Sequence, residues 1–220
     1  MHPPIWLLPT VPDKLSDMTK LGEWMAQGWR HHQAGALQLA EQQYRRVLQA
    51  DPRHVDALYL CGVVRQVQGD VDEAIALYRR ALAIRPQHRE VTNNLGAALS
   101  TKGRYQDAVD CCRRVIRAHP GYPDAYNNLG IALTELGELD EAVTVLENGA
   151  RLKPSDASFH YNLARALQRQ GRLEEAEPAY RQSLALRPNV PEVLNDFATI
   201  LVPLGRPDDA IALFRQVLAP

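Results

Sequence analysis

PDAYNNLGIALTELGELDEAVTVLENGARLKP, residues 123–154, holds two helical faces separated by one glycine. Tyr126, Leu129, Gly130 and Leu133 recur at three and four, and so do Ala142, Val145, Leu146 and Gly149. That period places each set on one side of a helix, and no segment alternates as a strand would. Between the faces stands Gly137, where a chain that must stop and reverse needs positive φ without a Cβ clash. Pro123 suits a first helical position, and Pro154 ends the second helix because its ring cannot continue the hydrogen-bond ladder. The stretch reads as helix–turn–helix.

The closing proline recurs at Pro52, Pro86, Pro120, Pro154 and Pro188, always 34 residues apart, which marks a repeat array. Six units follow: 21–54, 55–88, 89–122, 123–156, 157–190 and an incomplete 191–220. A small residue ends the first apolar stripe in each (Gly28, Gly62, Gly96, Gly130, Ala164, Ala198), and seven residues on a glycine appears in all six (Gly35, Gly69, Gly103, Gly137, Gly171, Gly205). An alanine column (Ala40, Ala74, Ala108, Ala142, Ala176, Ala210) precedes a bulkier one (Tyr44, Tyr78, Cys112, Leu146, Tyr180, Phe214). Small residues and alanines are expected where helices cross closely. The bulky column is expected to fill the space between neighbouring units. Asp70 with Glu73 reads as a capping pair, and Pro191 and Pro207 suit first helical positions.

This pattern resembles the tetratricopeptide repeat family, whose motif W-x2-L-G-x2-Y, A-x3-F, P is matched by Tyr126, Leu129, Gly130, Leu133, Ala142, Leu146 and Pro154, with Trp24 and Gly28 matching in the first unit. The resemblance covers about residues 21–220. It implies an all-α fold, a right-handed α-solenoid whose first helices line a concave groove for a protein or peptide segment. Gln27, His31 and Arg65 replace apolar residues of the pattern, which points to looser packing near the terminus. The stretch from Pro123 to Gly130 is similar to units of the arm of O-linked N-acetylglucosamine transferases. That likeness implies a second reading, in which the chain is the substrate-recognition arm of a larger glycosyltransferase whose catalytic domain lies outside it.

The resemblance places the second, sixth, ninth, twelfth and thirteenth residues of each unit in the groove. The sixth column runs Ala26, Leu60, Asn94, Asn128, Asn162, Asp196. An asparagine amide offers both a donor and an acceptor, so one per repeat could hold an extended peptide by its main chain. The alternative is that these amides bond between adjacent helices or face water. Glu90, Asp124, Thr134, Arg165 and Arg169 complete the candidate peptide-binding set. The second column (Gly22, Asp56, Glu90, Asp124, Ser158, Glu192) holds no cation, which argues against capture of a C-terminal carboxylate and for a basic partner segment.

Composition excludes other classes. The chain has 220 residues and a net charge of -1, so no global field draws nucleic acid or an anionic membrane. Its 3 cysteines are odd in number, and Cys111 and Cys112 are adjacent, so no disulfide framework is indicated and a reducing cytoplasm is expected. Its 7 histidines lack metal-ligand spacing, and no phosphate loop or nucleophile motif appears; neither a cofactor nor catalysis by this chain is expected. Residues 1–20 read as an extended N-terminal arm without signal-peptide features, in which Ile5, Trp6, Leu7 and Leu8 could pack on the first repeat or on another chain. Unit six stops before its proline column with no polar cap, leaving Leu194, Phe197, Leu201, Leu213, Phe214 and Val217 on an expected uncovered face. A piece of a longer protein is the favoured reading of that end, with a self-assembly module as the alternative. Pro178 and Pro203 are expected to bend their units locally.

Overall fold

The structure is a computed structural model that describes the backbone of residues 14–218 and the side chains of residues 20–218. Among the described residues there are twelve helices and no strand: α1 (Lys14–Gln33), α2 (Leu37–Ala50), α3 (Val55–Val67), α4 (Val71–Ile84), α5 (Arg89–Thr101), α6 (Tyr105–Ala118), α7 (Pro123–Leu136), α8 (Leu139–Leu152), α9 (Ala157–Arg169), α10 (Leu173–Leu186), α11 (Pro191–Leu201) and α12 (Pro207–Leu218). They pair into one hairpin per repeat. The hairpins fall into two compact units, with the division between Pro86 and Gln87.

The local signals work as the sequence indicates. All six turn glycines have positive φ, between 72° and 89°. The backbone N–H of Gly137 bonds back to the carbonyl of Thr134, closing α7 in the left-handed conformation that a Cβ would disfavour. Asp70 Oδ1 accepts from the N–H of Glu73 at 3.2 Å and caps α4. Pro123, Pro191 and Pro207 open α7, α11 and α12. Pro178 sits inside α10 without ending it, whereas α11 stops at Leu201, two residues before Pro203.

In the first unit α1 packs on α2, α2 on α3 and α3 on α4. In the second, each helix packs on the next, and the first helices of the hairpins also touch one another: α5 meets α7, α7 meets α9 and α9 meets α11. That close spacing makes α5, α7, α9 and α11 one continuous layer. The alanine column lies wholly inside, at 0% to 1% exposure.

The bulky column does more than fill the space between units, a role that Tyr180 shows by stacking on Phe197 of the next hairpin at 5.6 Å. It also packs against the small residue of its own hairpin. A Cβ added to Gly62 would stand 2.6 Å from Tyr78 Cε1, and one added to Gly130 would stand 2.4 Å from Leu146 Cγ. The two columns are complementary: the bulkier residue on the second helix is matched by a small one on the first, glycine in four units and alanine in two.

Three further expectations change. Residues 14–20 belong to α1, so the chain is helical from Lys14 and the extended arm of residues 1–20 does not extend that far; Ile5, Trp6, Leu7 and Leu8 lie outside the described residues. Arg65 marks a charged network in place of loose packing. It stands in a leucine column and pairs with Glu41 at 3.5 Å, with Glu73 at 2.6 Å, and with Asp70. At the far end, Leu194, Phe197 and Leu201 are buried, and Phe197 stacks on Tyr180 at 5.6 Å. Exposure there belongs to α12, where Ile211 is 48% and Leu218 82% exposed and Leu213, Phe214 and Val217 are half-buried.

Candidate protein-binding face

Asn94, Asn128, Asn162 and Asp196 of the sixth column sit along the layer formed by α5, α7, α9 and α11, and the last three each bond to a neighbouring helix of that layer. Asn128 on α7 donates its Nδ2 to Asn93 Oδ1 on α5 at 3.0 Å. Asn162 on α9 donates likewise to Asn127 Oδ1 on α7 at 2.8 Å. Tyr161 on α9 donates its hydroxyl to Asp196 Oδ2 on α11 at 2.9 Å. Burial and this bond push the Tyr161 phenol up to about 12. The fifth and sixth columns thus form a bonded seam between successive repeats. Sequence reasoning read the sixth column and overlooked the fifth, although Asn93, Asn127 and Tyr161 align there just as regularly.

The seam uses only part of each amide. Among the described residues none donates to Asn128 Oδ1, and Asn128 is half-buried. It stands in the wall of a cleft of about 370 Å³ between α5 and α7, with Ala97, Ser100, Thr101, Tyr105, Ile131 and Glu135. The hydroxyl oxygen of Ser100 is buried there without a bonding partner. Asn162 is only 8% exposed, so its amide serves the seam more than the surface. Asn94 is half-buried on α5.

The other candidates divide. Thr134 is buried and donates its hydroxyl to the Gly130 carbonyl at 2.7 Å, so it is a helix-backbone contact and offers nothing to the face. Arg165 and Arg169 converge on Glu135, at 3.4 Å and 3.2 Å, and Arg165 also lies 5.8 Å from the centre of the Tyr161 ring. Glu90 is engaged by Arg89 at 2.6 Å and His88 at 3.1 Å. Burial opposes its ionisation, but the Arg89 hydrogen bond and charge win and hold the carboxyl below the usual range. Asp124 is exposed in the first turn of α7, and Glu192 is exposed in the first turn of α11. The acidic second column is therefore partly neutralised by the chain's own cations.

Among the described residues, no group of three or more His, Cys, Asp or Glu is placed to hold a metal ion. His54 caps α3 through Nδ1, which accepts from the Ala57 N–H at 3.2 Å. Burial raises the thiols of Cys61, to about 11, and Cys112, to about 12. No described helix is long and apolar enough to cross a membrane.

The family model described as the cilia and flagella-associated protein 70 C-terminal domain, a tetratricopeptide-type model, matches residues 52–219. The chain belongs to this tetratricopeptide repeat family. Solved structures agree on the all-α solenoid. PilF of Pseudomonas aeruginosa superposes with a TM-score of 0.77 at 22% identity, over 92% of this chain and 92% of that one. A thermophilic tetratricopeptide protein of Thermus thermophilus gives 0.67 at 26% identity, over 74% and 90%. A MamA protein gives 0.66 at 26% identity, over 76% and 91%. No curated protein matches the sequence. A tetratricopeptide scaffold of this kind is typically a protein-interaction module.

Proposed function

We propose that this tetratricopeptide chain binds an extended segment of a partner protein along the layer of α5, α7, α9 and α11. The observation that carries the reading is the cleft between α5 and α7. It joins an apolar floor residue, Ile131, to the open Oδ1 of Asn128 and the carboxylate of Glu135. An extended backbone needs acceptors for its N–H groups and apolar space for alternate side chains, and the cleft supplies both. Arg165 and Arg169, already bound to Glu135, make this part of the face zwitterionic. The preference for a basic segment therefore rests on Asp124 and Glu192, whose exposed carboxylates flank the layer.

The test compares binding of selected extended peptides to the native chain and to Ile131→Arg, with Arg114→Glu on the outer side of α6 as the control. Loss of binding in the first variant alone supports the reading. Equal binding to all three proteins removes it. The glycosyltransferase-arm alternative is separated by the coding sequence beyond Pro220, which either encodes a catalytic domain or does not. Self-association through α12 is the other alternative, favoured by the exposure of Ile211 and Leu218. It requires a concentration-dependent dimer that Ile211→Asp abolishes.

A further inference from the structure

A cavity of about 560 Å³ opens where the fifth hairpin meets the sixth. Its walls are the α8–α9 loop, the start of α9, the end of α10 and the start of α11. Ala157, Leu186, Val190, Val193 and the Tyr161 ring make it largely apolar. Five of its polar side chains are already committed, and the other three, Ser155, Arg187 and Glu192, are exposed. The Ser183 hydroxyl donates to the Ala157 carbonyl at 3.0 Å, and the Tyr161 hydroxyl donates to Asp196. Lys153 pairs with Asp156 at 2.8 Å, and Asp156 in turn accepts from the N–H and hydroxyl of Ser158. A polar guest would give up its water for few new hydrogen bonds, so the site favours an apolar one.

The preceding junction shows what occupies such a space. One repeat earlier, Gly149 stands where Ser183 stands here, and Phe159 stands where Val193 stands. Phe159 is 1% exposed, and its ring lies so close to Gly149 that a Cβ there would be 2.1 Å from Cε1. At the fifth–sixth junction the corresponding Val193 carries no ring, and it and Ser183 line the open cavity.

We propose that this cavity receives an aromatic side chain from the partner segment, in the place that Phe159 takes one repeat earlier. The inference rests on the partner-binding reading above and names the anchor that the partner must carry. Ser158 and Glu192 line the cavity and also belong to the column that borders the proposed binding layer, so a segment lying there reaches the opening. An aromatic ring brings a large apolar area at low entropic cost. Arg187 and Glu192, both exposed, give the apolar pocket a charged rim, the arrangement in which single anchor residues dominate binding.

The probe is a set of peptides selected from a random display library on the native chain. Ser183→Gly/Val193→Phe rebuilds the Gly149–Phe159 packing inside the cavity and closes it with the chain's own ring. Leu186→Glu is a second variant that places a charge at the half-exposed wall and leaves the buried floor intact. Far-UV circular dichroism and melting establish that each variant is folded. The selected peptides should share a Phe, Tyr or Trp, replacing it by Ala should weaken binding roughly 30-fold, and both variants should weaken binding by a similar factor. Peptides that lack a shared aromatic residue, or that bind the filled variant as tightly as the native chain, overturn the anchor while leaving the binding layer standing. Failure to select any peptide overturns both.

Discussion

Gly149→Ala should destabilise this protein, and the same substitution should stabilise it once Phe159 is replaced by Val. The added Cβ would lie 2.1, 2.7 and 2.9 Å from Cε1, Cδ1 and Cζ of Phe159. Carbon atoms rest at about 3.5 Å or more, so the ring must retreat by over ~1 Å. Phe159 is 1% exposed and cannot swing into solvent. Overpacking of this kind costs about 1–3 kcal/mol, and the gain of Ala over Gly in a helix interior returns about 1 kcal/mol. The expected net loss is up to about 2 kcal/mol, at the upper end because the buried ring has nowhere to go. Phe159→Val alone removes ring carbons at ~0.8 kcal/mol each, a loss of about 3 kcal/mol. In that background only the propensity gain remains, and Gly149→Ala should add about 1 kcal/mol. The chain itself supplies the precedent, since Ser183 and Val193 coexist at the next junction. The assay is a double-mutant cycle in urea followed by circular dichroism. Amide exchange in α8 and α9 should be measured alongside, because repeat arrays can unfold unit by unit. A Gly149→Ala effect that is the same in both backgrounds would refute the steric account.

Other outcomes follow from the same structure. Gly137→Ala forces an L side chain to a φ of 84° and should cost about 1 kcal/mol, read as a lower urea midpoint. At pH 8 the raised thiols of Cys61 and Cys112 are protonated and buried, so a maleimide should modify half-buried Cys111 first and the other two only on unfolding, as mass spectrometry would show. Asp70 is held below the usual range by the Glu73 N–H and then Arg65, and Glu177 by Arg181 and then Arg206. A depressed carboxyl contributes stability that is complete above its unfolded pKa and lost as pH falls through the folded value. Melting temperature should therefore be flat with respect to these groups above about pH 5 and fall below about pH 4.

The fold was legible because each informative residue acts locally. A glycine at positive φ, a proline at a helix end and an apolar period of three and four all act within one hairpin, and each reads directly from sequence. Contacts between columns were harder. Tyr44, Tyr78 and Leu146 read as spacers between repeats, and in the structure they also face Gly28, Gly62 and Gly130 within their own hairpins. That pairing shows only when two columns are compared for volume. The candidate site was legible as a row of positions and not as a set of available atoms. Asn128 and Asn162 have their amide donors turned sideways to the fifth column, and Thr134 turns inward. Side-chain direction depends on the neighbouring helix, which periodicity alone does not place. The two cavities were not foreseen, because each arises from residues of different repeats.

A partner segment lying along α5, α7, α9 and α11 would change the surroundings of the amides it covers. Amide chemical-shift mapping of the native chain with a selected peptide tests that placement without altering any residue. Perturbations should cluster at Asn128, Ile131, Glu135 and Arg165 and continue to Ser158 and Glu192. Perturbations confined to the outer sides of α6, α8 and α10, or to α12, would contradict it.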